Sequence, residues 1–198
     1  MDAIITPNKW EDIHRKNDWG RWPEISLVKF MSRYPKKERG DIHVLEVGCG
    51  AGNNMWMLAR EGFVAYGIDS SSVATHKARE WLVAEGYGRE SLRVWADSVL
   101  DMPYEADTFD CVVDASCLYC VSYQEIDAAL WQIRRVLKDG GAFYSRTFRE
   151  YPPNDRGIKA RVMDEDGIRE TYGRHFTVDA IVPYRAGGVK EWVILCRK

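Results

Sequence analysis

A chain of 198 residues with 45% hydrophobic and 29% charged content is long enough to bury a substantial core and is ordinary for one globular domain. A net charge of −2 and a pI near 6.1 give no general pull on polyanions, which argues against a nucleic-acid partner. No apolar run nears membrane-spanning length, polar residues stand where a signal peptide needs an apolar core, and five cysteines, an odd number, suit a reduced cytoplasmic setting.

In chain order, residues 8–34 read as helical and aromatic-rich, with Pro23 suited to a helix first turn and Ile25, Leu27, Val28, Phe30, Met31 and Tyr34 supplying an apolar face. Pro35 to Gly40 make a charged connector. Strand-like runs then follow at 42–47, 63–68, 91–96, 109–114 and 141–146, separated by helical patterns near 53–61, 71–85 and 123–138. Gly62 and Gly86 sit where a helix C′ residue belongs, and Ser122 with Glu125 reads as a capping box. Runs such as Cys111-Val112-Val113 are apolar throughout, as strands covered on both faces should be. Alternation of this kind predicts a parallel, doubly wound α/β sheet. After a polar stretch (150–158) and a helix (164–174), two strands at 176–185 and 189–197 joined by Ala186-Gly187-Gly188 predict an antiparallel closing hairpin, seven strands in all.

Ligands of open α/β sheets bind beyond the carboxyl ends of the strands, at the switch point. The first strand ends in Glu46 and the glycine turn Gly48-Cys49-Gly50-Ala51-Gly52; the second ends in Asp69-Ser70, the third in Asp97-Ser98, the fourth in Asp114-Ala115. Four successive strand ends thus carry an acid. Glycine allows close backbone approach to a ligand, and a helix start leaves N–H groups unpaired. A carboxylate beside that turn disfavours a pyrophosphate and suits a ligand with hydroxyl and cationic groups.

These motifs resemble those of class I S-adenosylmethionine-dependent methyltransferases. Residues 44–52 are similar to that family's first motif, 67–71 to its second, and Asp97-Ser98 to its third. Phe109 to Val113 resembles its fourth strand and Arg135 to Gly141 the approach to its fifth. The resemblance covers roughly residues 42–146, and the closing hairpin matches the family's reversed seventh strand. It implies a single Rossmann-like domain over 1–198, with 1–40 as a helical lid. It also implies S-adenosyl-L-methionine as cofactor, with Glu46, Gly48, Cys49 and Gly50 near its methionine part and Asp69 and Ser70 at the ribose. Asp97 and Ser98 would lie at the adenine, and the backbone of Asp114 and Ala115 at the amino group. The Trp-rich start, with Trp19 and Trp22 flanking Gly20-Arg21, resembles the lid of small-molecule members, including the thiopurine type.

Two positions depart from the pattern. Asp139 replaces a frequent proline, and Leu118-Tyr119-Cys120 stands where many members carry histidines, so no general base carries over. Asp114, Tyr119, Tyr144 and Arg146 are expected to form the substrate wall, with Arg146 favoured for a functional role. Arg149, Arg156, Lys159 and Arg161 could recognise an anionic acceptor. No metal is expected: Cys117 and Cys120 lack a second ligand pair. The expected partner is a small-molecule acceptor, with no nucleic acid and no membrane, in a monomer or homodimer. A non-catalytic cofactor-binding subunit and a dinucleotide oxidoreductase stand as alternatives; the latter's third glycine would fall at Asn53.

Overall fold

The computed structural model describes residues 7–18, 20–89, 92–151 and 160–198; Trp19, Arg156 and Lys159 lie outside them. Helices α1 (Pro7–Lys16) and α2 (Ile25–Met31) precede the sheet. The alternating portion is β1 (His43–Val47), α3 (Asn53–Arg60), β2 (Val64–Asp69), α4 (Ser72–Ala84), β3 (Arg93–Ala96), β4 (Phe109–Asp114), α5 (Ile126–Val136) and β5 (Leu137–Phe148). It closes with α6 (Glu165–Gly173), β6 (Thr177–Ala186) and β7 (Val189–Arg197). Strand order is β3-β2-β1-β4-β5-β7-β6, parallel through β5, with β7 antiparallel to both β5 and β6. The expected seven-stranded, mostly parallel sheet is therefore present. Chain direction across the sheet reverses between β1 and β4, which places the switch point at their carboxyl ends.

Side-chain alternation sends consecutive strand residues to opposite faces. Val44, Cys111, Val113, Tyr144 and Val193 pack beneath Leu27, Phe30 and Met31 of α2 and Met57 and Leu58 of α3. Leu45, Val112, Phe143 and Ile194 pack on the other face against Ile126, Leu130 and Ile133 of α5 and Ile168 and Tyr172 of α6. Fully burying such a side chain is worth about 1.5–3 kcal/mol, so these two layers carry most of the stability. Glu46 shares the α2/α3 face and pairs across Val113 to Tyr144.

Several expectations need correction. The N-terminal 8–34 stretch holds two helices, and Pro23 lies before the second rather than in its first turn: Glu24 opens α2, its carboxylate accepting from the Ser26 amide. The Ser122–Glu125 pair bonds side chain to side chain (2.6 Å) while the Ser122 carbonyl accepts from the Glu125 and Ile126 amides, so α5 starts three residues late. It also ends early: Leu137 is already paired with Phe109, and Lys138 to Gly141 form a bulge before pairing resumes at Ala142. Gly62 and Gly86 do close α3 and α4, at φ 92° and 95°. The flanking strands differ from the interior ones: β3 has only four residues, and β6 carries Pro183 opposite Trp192.

Candidate functional site

Register brings the strand ends together. Val47 pairs with Ile68 on one side and Asp114 on the other, and Asp69 pairs with Ala96. The first, second, third and fourth acids thus stand at one end of the sheet, at the switch point, where open α/β sheets form a ligand crevice. Its floor is the turn after β1, where Gly48, Gly50 and Gly52 all adopt positive φ (68°, 53° and 90°). A Cβ on Gly48 would overlap Cys117 Cβ and lie 3.1 Å from its sulfur, so β1's turn passes against the chain leaving β4 with no room for a side chain.

Glu46 is 2% exposed. Its Oε1 accepts from Asn54 Nδ2 at 2.6 Å, whereas its buried Oε2 has no partner. Burial pushes this carboxyl up to about 8. An unpartnered carboxylate oxygen inside a protein is costly unless a cation or donor meets it. The site fits a ligand bearing an ammonium or sulfonium.

Asp69, 9% exposed, uses Oδ2 to accept from the Gly50 amide and Oδ1 to accept from the Ser71 amide, each at 2.9 Å. Burial raises its pKa, and these two amides oppose that rise. The carboxylate thus ties the glycine turn to the start of α4 while facing the crevice. Ser70 is exposed beside it. Asp97, half-buried, donates its amide to the Asp69 carbonyl (3.0 Å) and accepts from the Ser98 amide; Ser98 is exposed. Cys49 is buried, its amide donating to the Ile68 carbonyl, and burial raises its thiol far above reactivity.

The expected substrate wall reads differently in three dimensions. Asp114 is fully buried, with Oδ1 accepting from the Cys117 and Leu118 amides (2.8 and 3.0 Å) and Oδ2 from Ser145 Oγ (2.6 Å). Its carboxylate caps the short 3₁₀ turn Leu118–Cys120 and is not free to move a proton, so only the backbone of Asp114 and Ala115 is left for a ligand. Tyr119 packs its ring on Phe148 at 4.5 Å, and burial raises the phenol. Tyr144 is buried with its hydroxyl 2.7 Å from Ser26 Oγ. Arg146 does not await an anion: it is 8% exposed and paired with both Glu24 and Glu191. Its charge is spent locking α2 onto β5 and β7. Arg161 is likewise committed, donating to the Tyr119, Val121 and Leu118 carbonyls at 2.7–2.9 Å and bracing the turn behind Tyr119.

Three residues the sequence reading passed over belong to this site. Glu11 of α1 accepts from the Ser72 and Val73 amides (2.8 and 3.1 Å), capping α4 from another helix. His14, 6% exposed, lies against Gly50 and beside Asp69, so α1 crosses the second-strand rim of the crevice. Asn54 bridges Glu46 to the Glu24 amide. None has a local sequence signature, because each acts through a distant partner.

Among the tryptophans, Trp56 and Trp81 stack at 5.9 Å as packing residues. Arg21 lies over the Trp81 ring at 4.4 Å, anchoring the segment before α2. Trp22 is 86% exposed, which removes it from the core. Trp22→Ala should therefore shift the melting temperature by no more than about 1–2 °C, as surface changes usually stay within about 0.5 kcal/mol. A large thermal loss in differential scanning fluorimetry would show that the ring packs.

Comparison with known proteins agrees with this geometry. A family model described as a methyltransferase domain matches residues 44–141, from β1 to the start of the paired part of β5. The tRNA N(3)-methylcytidine methyltransferase trm140 of Schizosaccharomyces pombe is 27% identical over 194 residues, covering 86% of this chain and 62% of its own. The chain spans less than two thirds of the curated relatives it matches. A structure concerned with conversion of a disulfide bond into a thioacetal group during echinomycin biosynthesis superposes with a TM-score of 0.78 at 19% identity, covering 97% of this chain and 92% of the other. The N-methyltransferase NodS from Bradyrhizobium japonicum WM9, solved with S-adenosyl-L-homocysteine, gives a TM-score of 0.70 at 17% identity, covering 96% and 98%. No helix of the described residues is long and apolar enough to cross a membrane. With ordered motifs, switch-point crevice and matching domain model together, the chain belongs to the class I S-adenosylmethionine-dependent methyltransferases.

Proposed function

We propose that this protein binds S-adenosyl-L-methionine in the switch-point crevice and transfers its methyl group to a small-molecule acceptor. The observation that carries the reading is Glu46: a buried, half-partnered carboxylate beside three left-handed glycines, one strand away from Asp69. Glu46 and the glycine turn would hold the methionine part, Asp69 and Ser70 the ribose, Asp97 and Ser98 the adenine. The cofactor supplies an electrophilic methyl on a sulfonium, open to in-line displacement. The chain's own residues align the acceptor and exclude water, an effect worth several kcal/mol where positioning is good, roughly 7–11 at the limit. Asp114 and Tyr144 are committed to structural hydrogen bonds and Tyr119 is packed on Phe148, so the reading favours an acceptor that needs no side chain to remove its proton, such as an amine or a thiolate. Arg146, neutralised by two carboxylates, does not supply an anion seat.

Asp69→Ala should weaken S-adenosyl-L-homocysteine binding at least about tenfold, because two charge-assisted bonds that shape the glycine turn and the charge facing the ribose disappear together. Unchanged affinity by calorimetry would overturn the assignment. The cofactor reading also predicts a pH signature. The free protein holds Glu46 protonated below about 8; a bound cation favours its ionised form, so binding releases a proton. Affinity for S-adenosyl-L-methionine should rise with pH toward about 8, by at most tenfold per unit, then level off. Calorimetry from pH 6 to 9 in buffers of different ionisation enthalpy checks this; a flat profile without proton release contradicts it.

One observation favours a second acceptor class: the relative from Schizosaccharomyces pombe is named as a tRNA methyltransferase. Incubating the protein with radiolabelled cofactor and either total tRNA or a pooled metabolite fraction separates the two. Label in the tRNA alone would replace the small-molecule reading. Tight cofactor binding without transfer to either would favour a sensor or binding subunit.

A further inference from the structure

Asn54, the second residue of α3, is 8% exposed and bonded at both ends of its carboxamide. Nδ2 donates to Glu46 Oε1 at 2.6 Å, and Oδ1 accepts from the Glu24 amide at 2.8 Å. Glu24 in turn starts α2: its carboxylate accepts from the Ser26 amide (3.2 Å) and hydroxyl (2.8 Å) and pairs with Arg146. The Ser26 hydroxyl meets that of Tyr144 at 2.7 Å. Next to Asn54, Asn53 Nδ2 donates to the Trp22 carbonyl at 3.2 Å. One carboxamide therefore stands between the carboxylate of the cofactor crevice and the segment that roofs the sheet over β4 and β5.

This link answers to charge. Glu46 Oε1 is already taken and Oε2 is open, so a cation arriving at Oε2 makes Oε1 an ionised acceptor. A hydrogen bond to a charged acceptor is roughly twice as strong as a neutral one. Polarising the amide through Nδ2 also makes its Oδ1 a better acceptor, since chained hydrogen bonds reinforce one another. The strengthened partner is the backbone of Glu24. We propose that Asn54 is a positioning residue that ties the seating of residues 22–26 to cofactor occupancy at Glu46. This rests on the cofactor reading above. A purely structural Asn54 would hold the segment equally with or without ligand.

The test is amide hydrogen exchange across residues 24–28, with and without saturating S-adenosyl-L-methionine, beside calorimetric binding. In the unaltered protein the cofactor should slow exchange at Glu24, Ser26 and Val28 at least about tenfold. In Asn54→Ala the cofactor should bind more weakly, by up to about tenfold, because coupling between seat and segment is reciprocal, and at saturating cofactor the slowing should vanish. Slowing that persists in the variant overturns the inference, as does unaltered protein that binds cofactor without slowing. An unchanged Kd in the variant also overturns it, because a link that the cofactor tightens must in return tighten the cofactor, and so does complete loss of binding, which would make Asn54 part of the seat itself. Should Asn54→Ala not fold, Glu46→Gln decides: held neutral and saturated with cofactor, it should show no slowing, and full slowing refutes the link. If the unaltered protein binds no cofactor, the calorimetric blank identifies the failure as that of the underlying reading, and the inference falls with it.

Discussion

Gly48→Ala should lower stability by about 2–5 kcal/mol and abolish measurable cofactor binding. Two costs add. The backbone there has φ 68°, a left-handed conformation that costs a residue with a Cβ about 1–2 kcal/mol. The new methyl would also overlap Cys117 Cβ and approach its Cα to 3.3 Å, and forcing atoms into a packed interior costs typically about 1–3 kcal/mol. Cys117 cannot retreat cheaply, since its amide is held by Asp114 at 2.8 Å. For a chain of this size, 1 kcal/mol corresponds to about 2–4 °C in Tm. Gly50→Ala is the internal control: φ is 53°, but the nearest atom, His14 Cε1, is 3.6 Å away, so strain acts alone. Equal losses in the two variants by thermal unfolding would show that the contact with Cys117 is not what makes glycine necessary.

Arg146→Met should cost about 3–5 kcal/mol, the usual penalty for removing one partner of a buried ion pair. It strands two carboxylates, Glu24 and Glu191, whose side chains are 17% and 7% exposed. The loss comes from the carboxylates left behind, so adding Glu24→Gln and Glu191→Gln should recover most of it. The pH dependence has a definite sign. Burial already raises the Glu191 carboxyl despite the guanidinium beside it, so this group favours the folded state more as pH falls. Without Arg146 its pKa rises further, and the variant's deficit should shrink from pH 8 to pH 5. Urea unfolding at the two pH values measures this; a deficit that grows in acid would mean that the pair itself, not the stranded charge, carries the energy.

Much of the architecture is readable in the chain because periodicity and glycine act locally. The apolar run of β4 and the helical stripe of α5 each need only their neighbours to be recognised, and Gly62 and Gly86 close helices by backbone geometry alone. The strand-end acids are brought to one end of the sheet by parallel register, so their backbone positions are readable in the chain. What escaped is long-range. Asp114 and Arg146 look like substrate-facing groups in a list of strand ends, yet Ser145, Glu24 and Glu191 claim them, and those partners lie 31, 122 and 45 residues away. Glu11, His14 and Asn54 escaped for the same reason. The boundary between α5 and β5 moved because Leu137 fits a helical stripe and a buried strand equally well, and pairing with Phe109 decides it.

The two outer strands bear on how the molecule behaves when concentrated. An open sheet margin is a template for ribbon-like self-association. At one margin β3 offers only four residues; at the other, Pro183 brings no amide donor to the middle of β6. Neither side presents a long, regular row of hydrogen-bonding groups, so the protein should withstand high concentration without fibre formation, and a β-branched residue at 183 is the change most suited to removing that safeguard.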